Sequence, residues 1–273
     1  MIGRSSLRTV AAVLVAAGIG LALGARQVAS DQGPFVHQWC HAQHPPEPVI
    51  ETLVVEAEAT GLREATIKRL LALGYRSENA TGHLRDILCT VVLAEEEGLP
   101  PGLLFDRLEE GLGKQVALHR ILAVIRQKVD ELRFARELLD DGRTNLVDDP
   151  NVDRVARVLS LGLSRDVVSE LFEQAKHVPI EMRVIAAEIM GYGRALHLKP
   201  SLIRDVISTG IRYRAFTSDW VYFTKVVTEA RRRGIPDAQT AGTAVKVLAE
   251  NGALEELIGE LGLTIAPHRN GGG

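Results

Sequence analysis

Four stretches of this chain start alike and stop alike, and the interval between them restricts what the chain can fold into. GLREATIKRLLALGY from Gly61, GLPPGLLFDRLEEGL from Gly98, GLSRDVVSELFEQAK from Gly162 and HLKPSLIRDVISTGI from His197 each open on a helix-stopping residue. Leucine follows every time, at Leu62, Leu99, Leu163 and Leu198. Six places after the start an apolar residue returns (Ile67, Leu104, Val168, Ile203), and again at ten (Leu71, Leu108, Phe172, Ile207). Thirteen places on stand Gly74, Gly111 and Gly210, with Ala175 in the third stretch. Gly234 opens a weaker fifth. From Gly61 to Gly98 is 37 residues, from Gly162 to His197 is 35, and from His197 to Gly234 is 37.

Glycine reaches left-handed backbone without a Cβ clash, so it ends helices cheaply. Each unit therefore reads as a short helix, a turn and a longer returning helix. A lone hairpin cannot cover its own apolar faces, and neighbouring units must stack. The predicted fold class is all-α: stacked helical hairpins, α-solenoid-like, behind an N-terminal signal segment.

Apolar spacing elsewhere agrees. Leu118, Ile121, Leu122, Ile125, Val129, Leu132 and Leu139 keep a spacing of three or four through one long helix, and Leu84, Leu88, Val91 and Val92 do so in another. Asp149-Pro150 predicts a helix start, Val152, Val155, Val158 and Leu159 its buried face, and Gly162 its end. No stretch alternates as a strand would. Aromatics make up only 4% of the chain, so a core must come from medium-sized aliphatic side chains, as in helix-on-helix packing. The acidic, turn-rich DDGRTNLVDDPN interrupts the series. The expected organisation is a signal at 1–30, a lead segment at 31–48, one helical-repeat half at 49–139, a polar linker at 140–151, a second half at 152–264 and a tail at 265–273.

The first residues predict export. MIGRSSLR supplies two arginines and no acid, and residues 9–25 are uncharged and apolar. Small residues at Ala22-Leu23-Gly24, or at Val28-Ala29-Ser30, suit a signal peptidase. Removing residues 1–24 takes away Arg4 and Arg8 and moves the net charge from −3 to −5. The expected location is periplasmic or secreted. The alternative is an inner-membrane anchor formed by residues 9–25, which are short for a bilayer and rich in Ala and Gly.

One unit, EGLPPGLLFDRLEEGLGKQVALHRILAVI, resembles a unit of exported bacterial helical-repeat proteins of unassigned role. The shared marks are Gly98-Leu99-Pro100, Glu110-Gly111-Leu112 and Arg120-Ile121. The resemblance covers about thirty residues. It implies helical architecture and carries no activity.

Three groups of residues are candidates for more than packing. In HQWCHAQH, His37, Cys40, His41 and His44 are metal-ligand types on one helical stripe. A pair four apart can grip one ion, but the four together cannot surround it. Cys40 and Cys89 are the only cysteines, and an exported protein with two usually joins them. Cys89 should flank the Leu84–Leu88–Val92 stripe, within reach of another segment. The third group lies in IRYRAFTSDWVYFTKVV. Phe216, Trp220, Phe223 and Val227 are expected to share one buried helical face. Tyr213 and Tyr222 point off it, beside Arg212, Arg214 and Lys225, as an aromatic and cationic surface suited to a partner.

Catalytic patterns are missing. There is no H-E-x-x-H and no G-x-S-x-G, and Gly111-Leu112-Gly113-Lys114 continues with Gln115 where a phosphate loop needs Ser or Thr. His83, His119, His177 and His197 are scattered. The acidic runs Glu95-Glu96-Glu97, Asp140-Asp141 and Asp148-Asp149 read as solvated surface and caps. ARRRG reads as cations at a helix C-terminus. A sequence pI near 6.3 and no basic stripe argue against nucleic acid. The expectation is an exported, non-catalytic scaffold with no cofactor and a protein or peptide partner, touching a membrane only through an uncleaved signal. The alternatives are a periplasmic enzyme acting on cell-wall material, with its site near residues 140–151, and a metal-handling protein built on the histidine segment.

Overall fold

The computed structural model describes residues 55, 58, 61–74, 80–140 and 149–264. The predicted signal and lead segments, most of the predicted linker and the predicted tail lie outside the described residues. All regular structure described is helical: α1 (Glu64–Gly74), α2 (Ala80–Glu96), α3 (Gly102–Gly113), α4 (Leu118–Leu139), α5 (Asp149–Ser160), α6 (Arg165–Gln174), α7 (Ile180–Ala195), α8 (Pro200–Tyr213), a 3-10 turn (Ser218–Tyr222), α9 (Phe223–Arg232), α10 (Asp237–Ala249) and α11 (Leu254–Glu260). The chain divides into two compact units, one running through Gln127 and the other from Lys128.

Helix ends follow a common rule. All five starts read from the sequence have positive φ: Gly61 (86°), Gly98 (69°), Gly162 (90°), His197 (55°) and Gly234 (77°). At most of these ends the next N–H reaches back five residues, as in Leu99 to Ala94 O (2.8 Å), Leu198 to Gly193 O (3.0 Å) and Ile235 to Ala230 O (2.9 Å). This is the Schellman closure, and the residue that donates is apolar. Leu62, Leu99, Leu163 and Leu198 are all buried. The same closure recurs where the sequence offers no glycine, at Gln115 (54°), Arg214 (53°) and Asn251 (57°). There Val116, Ala215 and Gly252 donate to Gly111, Gly210 and Val247.

In the first unit α1 packs on α2 and α3. Arg63 donates to Glu109 Oε2 at 2.6 Å, and Thr66 Oγ1 to Glu109 Oε1 at 2.9 Å, tying the start of α1 to α3. The buried face of α2 is Leu84, Ile87, Leu88, Val91 and Ala94; of the predicted stripe Leu84, Leu88 and Val91 are buried, and Val92 is only half-buried. Likewise Leu70 rather than Leu71 is fully buried on α1. The predicted apolar set of α4 is buried from Leu118 to Leu139.

In the second unit α7 touches α5, α6, α8, the 3-10 turn and α9. A helix with that many neighbours cannot have a polar face, and residues 184–189 are buried without a break. Small residues let the neighbours in. A Cβ on Gly191 would stand 3.2 Å from Val158, and one on Gly193 3.1 Å from Ile203. Helices two apart in the chain also meet, as α1 with α3, α5 with α7, α7 with α9 and α8 with α10. Several polar links span a similar interval: Arg154 to Glu188 is 34 residues, Arg165 to Asp130 O and Arg231 to Leu196 O are 35, and Arg214 to His177 O is 37.

Gly210 shows how tightly one such return is made. The Phe216 ring lies across it, and an added Cβ would fall 2.2 Å from Phe216 Cζ. Gly210→Ala should destabilise the protein by about 1–3 kcal/mol, because overpacking outweighs the better helix propensity. Gly242, exposed in the interior of α10, has open space around it. Gly242→Ala should stabilise by about 0.5–1 kcal/mol. Urea denaturation of both variants measures the contrast, and equal effects would contradict this packing.

Candidate binding surface

The surface begins where α8 stops. Arg214 takes left-handed backbone, its N–H reaching Gly210 O and Ile211 O, and Ala215 N donates to Gly210 O at 2.9 Å. The chain reverses, Phe216 folds onto Gly210, and a single 3-10 turn carries Trp220 inward. The Phe216 and Phe223 ring centroids lie 6.1 and 6.2 Å from that of Trp220. Phe216, Trp220, Phe223 and Val227 are buried, as expected. They do not share one helical face, because three separate elements supply them. The left-handed residue at 214 breaks the helix the periodicity had suggested.

This path leaves two rings outside. Tyr213 is 44% exposed and Tyr222 39%, and among the described residues they are the large aromatic side chains left exposed. Arg212 and Arg214 are exposed on either side of Tyr213. Arg214 donates to the His177 carbonyl at 3.3 Å, and Arg212 makes no ion pair among the described residues. Lys225 Nζ lies 4.5 Å from the centre of the Tyr222 ring, a cation–π contact.

Charge gathers in the same part of the chain. From Arg194 to Arg233 there are nine lysines and arginines against three acids, in a protein whose net charge is −3. Part of this is used internally. Arg231 grips Asp237 with two nitrogens at 2.8 and 2.9 Å and donates to Leu196 O at 2.9 Å. That hydrogen bonding holds the Asp237 carboxyl below the usual carboxylate range. Arg232 and Arg233 pair with Glu229 at the end of α9, as the sequence suggested for ARRRG. Arg204, Arg212, Arg214 and Lys225 remain exposed and cationic.

Two polar clusters in the second unit tie helices together, one buried and one partly buried. The Lys128 ammonium uses its three donors on Glu131, Ser160 Oγ and Ala156 O, and Ser160 donates to Glu131 at 2.7 Å. Arg154 forks onto Glu188 at 3.1 and 2.7 Å and reaches Asn151 and Glu181. Burial lowers the basicity of Arg154, but its hydrogen bonds to Glu188 and Glu181 more than offset this and leave its pKa raised. The Lys128–Ser160 and Ser160–Glu131 bonds join α4 to α5, and the Arg154–Glu188 and Arg154–Glu181 bonds join α5 to α7.

His37, Cys40, His41 and His44 lie outside the described residues. Cys89 sits half-buried beside the buried face of α2, as expected, and no described cysteine is a free thiol. Glu95, Glu96, Glu97 and Asp140 are exposed. No group of three or more His, Cys, Asp or Glu residues able to hold a metal ion occurs among the described residues. None of the described helices is long and apolar enough to cross a membrane. The structure does pair two histidines that the sequence left scattered. His83 and His119 face each other across α2 and α4, with ring centroids 6.1 Å apart. Their separation of 36 residues, close to the repeat interval, was the available signal. No protein-family model, curated protein or solved structure matches the chain.

Proposed function

We propose that this protein is an exported, non-catalytic stack of helical hairpins that binds an acidic peptide or protein segment. The face that binds is built from Tyr213, Tyr222, Arg212 and Arg214. The observation that carries this reading is the pair of exposed tyrosines amid exposed cations on a fold that buries its other described aromatic rings deeply enough to leave none equally exposed. Exposed tyrosine offers large contact area at low entropic cost, and flanking arginine adds charge-assisted hydrogen bonds to carboxylates.

The stacked reading is supported by the positive φ at all five predicted starts, by helices meeting two apart in the chain, and by polar links recurring at 34 to 37 residues. Stacked hairpins present extended surfaces of the kind that peptides occupy. Export rests on the charged, apolar and small-residue pattern of residues 1–30.

Crosslinking in the native periplasm, followed by identification of what is captured, tests both parts. With the captured partner in hand, Tyr213→Ala/Tyr222→Ala should weaken binding at least tenfold, the scale of an interface hot spot. The unfolding transition should stay within about 0.5 kcal/mol, since both side chains are at the surface. Unchanged affinity would remove this face from consideration, and recovery of the protein in the cytoplasm with its signal intact would remove export.

A further inference from the structure

Two asparagines of this chain stand before glycine, Asn251 and Asn270, and the second lies outside the described residues. The joint between α10 and α11 explains the first pair. Asn251 sits in left-handed backbone (φ 57°), which asparagine visits more readily than most side chains. Gly252 is buried, and a Cβ on it would fall 2.7 Å from both Val247 Cγ1 and Glu256 Oε2. The turn therefore favours asparagine at one position and glycine at the next. Asn251 is exposed, and its side-chain amide makes no hydrogen bond among the described residues. The backbone beside it is held. Asn251 N donates to Leu248 O at 3.2 Å, and Gly252 N to Val247 O at 2.8 Å.

An asparagine before glycine is prone to attack by its own main chain, because glycine has no side chain to hinder the approach. The Gly252 nitrogen bonds to Asn251 Cγ. The side-chain nitrogen leaves as ammonia, carrying the proton that Gly252 gives up. Water then opens the five-membered imide at either carbonyl, leaving aspartate or isoaspartate. None of this can begin while the Gly252 N–H is donated to Val247 O. We propose that Asn251–Gly252 is a site of spontaneous deamidation, exposed to reaction only when the joint between α10 and α11 opens. Either product works against reclosure. Isoaspartate puts an extra methylene into the main chain ahead of Gly252, which moves its N–H off Val247 O. Aspartate puts a negative charge at the C-terminal end of α10, beside Glu250, where the macrodipole disfavours it. Because α11 packs on α10 and on the 3-10 turn that carries Trp220 and Tyr222, an opening made permanent here loosens the support of that turn.

The test keeps the full chain in mildly alkaline buffer, folded in one sample and unfolded in guanidinium chloride in the other. Peptide mapping by mass spectrometry follows the conversion of amide to acid at residue 251, separately from Asn270. Conversion at 251 should run freely in the unfolded chain and at least about tenfold more slowly in the folded one. Leu257 is fully buried and anchors α11, so Leu257→Ala should speed the folded reaction at least about tenfold. A second measurement needs no variant. Hydrogen exchange at the Gly252 N–H of the parent protein reports the same opening, and its slowing should match that of deamidation within about threefold. An unfolded chain that does not convert at 251 overturns the site. A folded chain that converts as fast as the unfolded one overturns the control by the joint, as does a protected Gly252 N–H with no matching delay in deamidation.

Discussion

Lys128→Met should lower the free energy of unfolding by about 3–5 kcal/mol, the usual cost of removing one partner from a buried ion pair. Lys128 is 4% exposed and Glu131 6%. The methionine fills most of the space of the lysine stem but offers nothing to the Glu131 carboxylate, the Ser160 hydroxyl or the Ala156 carbonyl. The Ser160 bond to Glu131, at 2.7 Å, is a neutral donor where a cation stood. The paired variant Lys128→Met/Glu131→Leu should recover most of the loss, because two apolar side chains replace two charges and neither is left unpaired. Urea denaturation of the two variants, with equal m-values, gives the answer. A single variant within 1 kcal/mol of the parent would mean that water reaches this cluster.

Reduction is expected to cost nearly as much. If Cys40 and Cys89 are joined, the bond closes a loop spanning 49 residues, for which the chain-entropy model gives about 4 kcal/mol less any strain. Cys89 flanks the Leu84–Ile87–Leu88–Val91 face, so the bond would hold the proline-containing lead segment against α2. Cys89→Ser and the reduced parent should unfold at the same, lower urea concentration. The oxidised parent, unfolded without reductant, should leave no thiol for a labelling reagent. Two reactive thiols would dispose of the bond and of the lead segment's attachment together.

The sites divide sharply in how much the sequence disclosed. The tyrosine surface was readable because Tyr213 and Tyr222 fall off the spacing of Phe216, Trp220 and Phe223. What was misread was the path, since a left-handed arginine at 214 carries no composition signal. Its conformation is stabilised by the Ala215 bond to Gly210 O and by burial of Phe216, and both are properties of the folded chain. Lys128, Glu131 and Ser160 gave no warning at all. Lysine and glutamate three apart on a helix ordinarily read as a solvated pair. Only the arrival of α5 over that turn of α4 makes them interior.

What the sequence determined by itself was where the glycine-terminated helices stop and, for most helices, which face is apolar. Glycine followed by leucine sets a local backbone conformation, and apolar spacing of three or four sets a buried stripe; both act within a few residues and need no partner. What the tertiary structure decided was which stripes meet. It surrounded α7 with five neighbours, brought His83 opposite His119 and closed α5 over Lys128. The last two sets of contacts join residues 28 to 36 positions apart, and their energy depends on side chains that local sequence does not contain.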